Sequence, residues 1–272
     1  MKSLVLLISL LTLWAPKCQA ASAGPLDPKQ LVEQAVSTEL AADKADHSHW
    51  MYRDFKKSSG KSLIKLVIQT PDGEIYKTLE INGKPLTPEQ QAQDTQRMNA
   101  FAADPKAQAK QRSNSRHDDE QASALTKLLP DAFIWTAVDE ATPGEITLSF
   151  RPNPHFDPPS REAKVFAAMT GTMILDEQQH RIKKLAGRLA QPVRFGGGFF
   201  GKLEKGGTFQ IERSQIAPGE WQITETHVHI NGHALFFKTI SEQEDESSSE
   251  YKPVQPMSMK EAAGLLSKES AP

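Results

Sequence analysis

The chain has 272 residues, one cysteine and a formal charge of −2. That balance, with no concentrated basic patch, excludes nucleic-acid binding. A lone Cys18 excludes an internal disulfide and a zinc–thiolate centre.

The first 20 residues read as an export signal. Lys2 gives a positive start, Leu4–Trp14 an apolar core too short to span a bilayer, and Cys18-Gln19-Ala20 the small residues of a cleavage site. Cleavage after Ala20 predicts a periplasmic or secreted protein. Losing Lys2 and Lys17 leaves 30 basic residues of the original 32 against 34 acidic ones, a net charge of −4. No second apolar run approaches transmembrane length. Residues 21–27 then form a linker, 28–255 one domain and 256–272 a weakly ordered tail.

Asp27-Pro28 opens a predicted amphipathic helix with Leu31, Val32, Ala35, Val36 and Leu40 on one stripe. Strands follow at Trp50–Lys57, Leu63–Thr70 and Ile75–Ile81, the last two joined by the turn Pro71-Asp72-Gly73. Thr87-Pro88-Glu89-Gln90 is a capping box. It begins a weakly apolar helical insertion over about 88–129, read as two or three helices broken near Asp104-Pro105 and Ser113–Ser115. Strands resume at Phe133–Val138 and Glu145–Arg151, before a Pro-rich loop and a short helix capped by Ser160.

Gly171 to Ile240 reads as a run of hairpins, with an irregularity expected at Lys183-Lys184. Within it Asn231-Gly232 predicts a two-residue turn, pairing Val228 with Leu235 and Glu225 with Lys238. Ser241–Glu250 is expected to be a solvated loop and Tyr251–Val254 a last edge strand. The result is an α+β fold, mainly antiparallel β, with about ten or eleven strands.

Chemistry-bearing residues are few. Glu225, His227 and His229 share a face and suggest a metal group, but Lys238 opposite Glu225 is the pattern of a solvated surface. No metal and no cofactor are therefore expected. Gly196-Gly197-Gly198 lacks the lysine and hydroxyl residue of a phosphate loop and reads as a sheet bend. Asp118-Asp119-Glu120 is expected at a helix N-terminus, complementing its dipole. No nucleophile context surrounds the serines, so the chain is expected not to be an enzyme.

Certain stretches in order carry a resemblance. They are Asn82-Gly83-Lys84-Pro85-Leu86-Thr87-Pro88-Glu89, Phe150-Arg151-Pro152-Asn153-Pro154, Gly171-Thr172-Met173-Ile174-Leu175-Asp176, Gly198 to Leu203, and Trp221 with the hairpin after it. In their order and spacing, from about Leu31 to Val254, the chain resembles the bacterial outer-membrane lipoprotein-sorting proteins and periplasmic lipoprotein carriers. It departs from the small carriers by its long polar insertion and Pro-rich loop. The resemblance implies an open, curved half-barrel sheet whose concave apolar face is covered by helices and binds acyl chains or other hydrophobic ligands.

On that reading Val228, Leu235 and Phe237 turn inward and Trp135, Leu148 and Phe150 join them to line an apolar cavity. The expected function is an exported, non-enzymatic binding protein of the cell envelope that shelters an acyl chain, lipid or lipoprotein. One alternative is a sensor that binds an envelope membrane protein through the same fold. A weaker one is a metal-dependent enzyme using His227, His229 and Glu225.

Overall fold

The computed structural model describes residues 27–139, 142–195, 201–233 and 240–269. The expected leader and cleavage site, the triple glycine at 196–198, and Leu235, Phe237 and Lys238 lie outside the described residues.

Helix α1 is Pro28–Ala45. Strands β1 (Trp50–Ser58), β2 (Lys61–Thr70), β3 (Gly73–Ile81) and β4 (Lys84–Pro85) follow, then helices α2 (Pro88–Ala102) and α3 (Pro105–Ala132). Strands β5 (Phe133–Ala137) and β6 (Glu145–Pro152) precede a 3-10 turn at Ala163–Ala168. Next come β7 (Met169–Asp176), β8 (Ile182–Leu189), β9 (Val193–Phe195), β10 (Gly201–Leu203), β11 (Thr208–Ala217), β12 (Glu220–His233) and β13 (Ile240–Pro253). Helix α4 (Met259–Lys268) closes the order.

The strands form one open sheet of thirteen, in the order β4-β3-β2-β1-β13-β12-β11-β8-β7-β6-β5, with β9 and β10 attached beside β12. The N-terminal hairpins therefore dock on the last strand of the chain, β13. The expected α+β, mainly antiparallel sheet is what forms. The strands beyond the expected count are the short pieces β4 and β9, of two and three residues.

Four local expectations are corrected. Strand β12 runs straight through Asn231-Gly232, so Val228 lies opposite Glu244 and Glu225 opposite Ser247. Gly232 is absent from the positive-φ glycines. It instead lets β10 approach: a Cβ there would fall 2.6 Å from the Lys202 carbonyl oxygen. Its job is proximity, not turning. Second, Ser241–Glu250 is no loop, and Tyr251 no edge: both belong to β13, between β12 and β1. Lys56 holds Glu244 and Glu246 at 2.7 and 3.0 Å, and such cross-strand pairing outweighs the low strand preference of Ser and Glu.

Third, α3 continues unbroken through Ser113–Ser115 for 28 residues, so Asp118-Asp119-Glu120 is mid-helix rather than at an N-terminus. The break at Asp104-Pro105 is real, with Asp104 accepting from the amides of Lys106 and Ala107. Fourth, the tail, whose weak helical character is expected only to fray, forms an ordered helix, α4, opened by the capping box of Ser258 and Glu261.

Cross-strand partners share a face, so one row can be followed through Leu148, Met173, Leu185, Ile211, Thr226, Glu246, Lys56 and Leu63. Helix α1 covers this face at its β5–β8 end. Leu31, Val32, Ala35 and Val36 pack there with Phe133, Trp135, Leu148, Phe150, Met173 and Leu175. The opposite face carries Met51, Leu66, Ile68 and Ile75 at the other end, covered by Met259, Ala262, Ala263 and Leu266 of α4 and by Met98 of α2. Two cores thus sit on opposite faces at opposite ends of the sheet, and a third, of Ala168, Leu189, Val193 and Leu203 with partly buried Ile230, joins the 3-10 turn to β8, β9, β10 and β12. The strands between the first two are the place to look for a site.

Candidate functional site

Trp135, Leu148 and Phe150 are core residues, 7, 0 and 4 % exposed. Trp135 and Phe150 pack against Phe133 in a ring cluster with centroids 4.6–5.8 Å apart, and the Trp135 indole donates to the Leu129 carbonyl. Ala132 and Leu129 at the end of α3 fill the remaining space beneath α1. Val228 is elsewhere, on β12, half-buried. The structure therefore does not bring the four described cavity candidates together.

The helices pack on β2, β3, β5 and β8. They meet β11 and β12 at one end through side chains: Arg213 pairs with Glu39 and Asp43, and Gln222 donates to Asp46. On the α1 face, the middle strands therefore carry a strip formed by Phe209 and Ile211 on β11 and Thr226, Val228 and Ile230 on β12. All five are half-buried. The rows continue onto β13 and β1, where the residues change to Glu244, Glu246, Ser58 and Lys56. The strip is apolar at one side and charged at the other.

The charged side is tied by aromatic and ionic contacts. Tyr52 stacks on Tyr251 at 5.1 Å, and Trp50 meets Tyr251 edge-on at 6.2 Å. The Tyr52 hydroxyl donates to Glu74 at 3.1 Å, and burial, then Glu74 itself, pushes its phenol well above the ordinary range. Lys65 bonds one oxygen of buried Asp54 at 3.2 Å and lies over the Tyr76 ring. The carboxylates of Asp54, Glu74, Glu244 and Glu246 outnumber Lys56 and Lys65 in this patch. It suits a polar end that donates hydrogen bonds.

On the other face, the Asp245 carboxylate takes both His227 Nδ1 at 2.8 Å and His229 Nε2 at 2.9 Å, while His227 Nε2 reaches Glu225 at 3.4 Å. The hydrogen bond that His227 donates to Asp245 raises the His227 pKa, and the same bond lowers that of Asp245. Among the described residues no group of three such side chains converges as metal ligands. The arrangement is a cross-strand brace between β12 and β13.

A small recess of about 140 Å³ lies between the end of α1 and the turn before β12, lined by Asp43, Asp46, Arg181, Glu220 and Trp221 among others. Arg181 is held by Glu39 and lies over the Trp221 ring, whose indole donates to Gln179. The side chains here fix α1 to the sheet.

Glu244, Glu246, Lys56, Tyr52 and Tyr251 were hidden from a sequence reading by the loop-like composition of 241–250. One signal was present: Glu242, Glu244 and Glu246 recur at period two, the spacing of one strand face.

The fold and this strip define an open antiparallel-sheet protein with a partly covered face. Among the described residues no helix is long and apolar enough to cross a membrane. Compared with known proteins, the chain matches no family model and no curated sequence.

Proposed function

We propose that the protein is an exported, non-enzymatic binding protein of the cell envelope that takes an amphiphile, an acyl chain or acylated protein end, along the strip on β11 and β12. The observation that carries this reading is that Ile211, Thr226 and Val228 lie half-buried on the α1 face, between Phe209, packed against the α1 core, and Ile230, packed against the core of Ala168, Leu189, Val193 and Leu203. An acyl chain laid there gains about 0.8 kcal/mol per methylene removed from water. Its polar end then falls toward Lys56, Tyr52 and the carboxylates of β13. Trp135, Leu148 and Phe150 support the site from beneath α1 as core and do not touch the ligand.

A second reading keeps the strip and changes the ligand to a segment of an envelope membrane protein. The charged rows on β13 and β1 favour it, since carboxylates and lysines at strand spacing suit a peptide better than a hydrocarbon.

A fluorescent acyl chain ending in a primary amide, a neutral head that donates hydrogen bonds, titrated into the purified protein tests the proposal. Binding that Val228→Glu weakens at least tenfold, with unchanged circular dichroism, supports the acyl reading. Well-folded protein that binds no probe at high micromolar concentration removes it and leaves the partner reading.

A further inference from the structure

The outer edge of β3 is closed by side chains where a neighbouring strand would lie. Strand β4 pairs only with Glu80 and Ile81. Beyond it, the Gln111 side-chain amide on α3 accepts from the Glu74 amide at 3.2 Å and donates to the Glu74 carbonyl at 3.0 Å. Those are the two bonds a partner strand's residue would make. On α2, Asp94 accepts from the Thr78 amide at 2.9 Å and Arg97 donates to the Tyr76 carbonyl at 2.7 Å. Asp94 also takes the Thr78 hydroxyl and the Arg97 Nε, so the two helix side chains brace each other.

Residues 74, 76 and 78 alternate, as the outward backbone groups of an edge strand must. Their pattern is self-complementary. Reversed about Tyr76, residue 74 of one chain faces residue 78 of another, so two such edges can pair antiparallel around a two-fold axis. The cover is shallowly rooted. Met98 is the one buried residue of α2, and Gln108 the one buried residue in the first half of α3.

We infer that the α2–α3 insertion is a seal, and that what it excludes is pairing of the β3 edge with the β3 edge of a second copy. Gln111 mimics a peptide unit, Asp94 takes the Thr78 N–H and Arg97 caps the Tyr76 carbonyl, so these four outward groups are satisfied inside one molecule. Unsealed, the edge presents donors and acceptors at strand spacing that another β3 satisfies.

The test uses the full chain with Asp94→Ala, Arg97→Ala and Gln111→Ala combined, studied by sedimentation at high micromolar concentration beside the wild type. The combined variant is expected to shift from monomer to dimer. Adding Thr78→Pro, which removes an outward N–H and is tolerated at an edge, is expected to return it to monomer. A folded combined variant that stays monomeric, a dimer that survives Thr78→Pro, or a wild type that already dimerises through this edge overturns the inference. Where the combined variant does not fold, Gln111→Ala alone decides. Amide exchange at Glu74 should then quicken about tenfold, the worth of one hydrogen bond. Unchanged exchange there overturns it equally.

Discussion

Glu39 on α1 and Arg181 just before β8 form a two-armed ion pair, each arm 2.9 Å, with side chains only 2 and 7 % exposed. Glu39 also accepts from the Ile182 amide at 2.7 Å and meets Arg213 at 3.0 Å. One carboxylate thus serves two guanidinium groups and a backbone donor. Buried in the last turns of an otherwise apolar contact, it sets where α1 stops along the sheet.

Removing it leaves Arg181 and the Ile182 amide uncompensated, and Arg213 with Asp43 alone. Glu39→Ala should destabilise the protein by about 3–5 kcal/mol, read as a shift in urea midpoint at unchanged slope. Arg181→Met in the Glu39→Leu background should recover part of that loss, because replacing both members of a buried pair costs less than orphaning one. A midpoint within error of wild type for Glu39→Ala would show that the pair is not buried in solution.

The His227–Asp245 contact predicts a pH dependence. The folded pKa of His227 is raised, chiefly by its hydrogen bond to Asp245. The bond's contribution is therefore complete below the unfolded histidine value of about 6.5 and fades as pH rises through the folded value. Because the ring is about a third exposed, the effect on stability is well under about 1 kcal/mol. An NMR titration is the sharper measurement: Asp245→Asn should lower the His227 pKa. If the midpoint stays where it is in the wild type, the brace between β12 and β13 carries no electrostatic weight.

The two Asn-Gly pairs show what a sequence can and cannot fix. At Asn82-Gly83 both residues take positive φ, 53° and 71°, and the chain turns from β3 into β4. At Asn231-Gly232 the same dipeptide lies in an extended strand, because β10, distant in sequence, packs against it. The turn propensity was legible; the neighbour that overrode it was not. Gly232→Asn separates the two roles, since asparagine tolerates a left-handed turn but not a missing space. It should destabilise by about 1–3 kcal/mol through overpacking against Lys202 and Leu203. In contrast, Gly83→Asn should cost less, as nothing stands within 4 Å of an added Cβ there.

Local alternation made most strands legible, and the extra residue at Lys183 falls where two adjacent lysines broke the pattern: Ile174 faces Lys184 while Leu175 faces Ile182. The site was less legible for a definite reason. Trp135, Leu148 and Phe150 have the apolar character expected of either a cavity lining or a core, and only the position of α1 decides between them. Likewise, the acidic run of β13 becomes a strand through Lys56, nearly two hundred positions away in sequence.

The last expectation concerns α4. Its composition is modest, yet Ala262 and Leu266 are fully buried and Ala263 and Met259 only 3 % exposed. They complete a core with Ile68 and Ile75 that α2 reaches only through Met98 and partly buried Phe101 and Ala102. Leu266→Ala should therefore cost about 2–5 kcal/mol, the range for emptying a buried leucine site. Ending the chain after Pro256 should cost more, exposing Ile68 and Ile75 together. It should also loosen the seal on β3, because α2 packs against α4. Faster amide exchange at Thr78 in the shortened chain, alongside the loss of stability, is the expected result. A shortened chain with the wild-type urea midpoint would mean that the β1–β3 end of the sheet is held without α4.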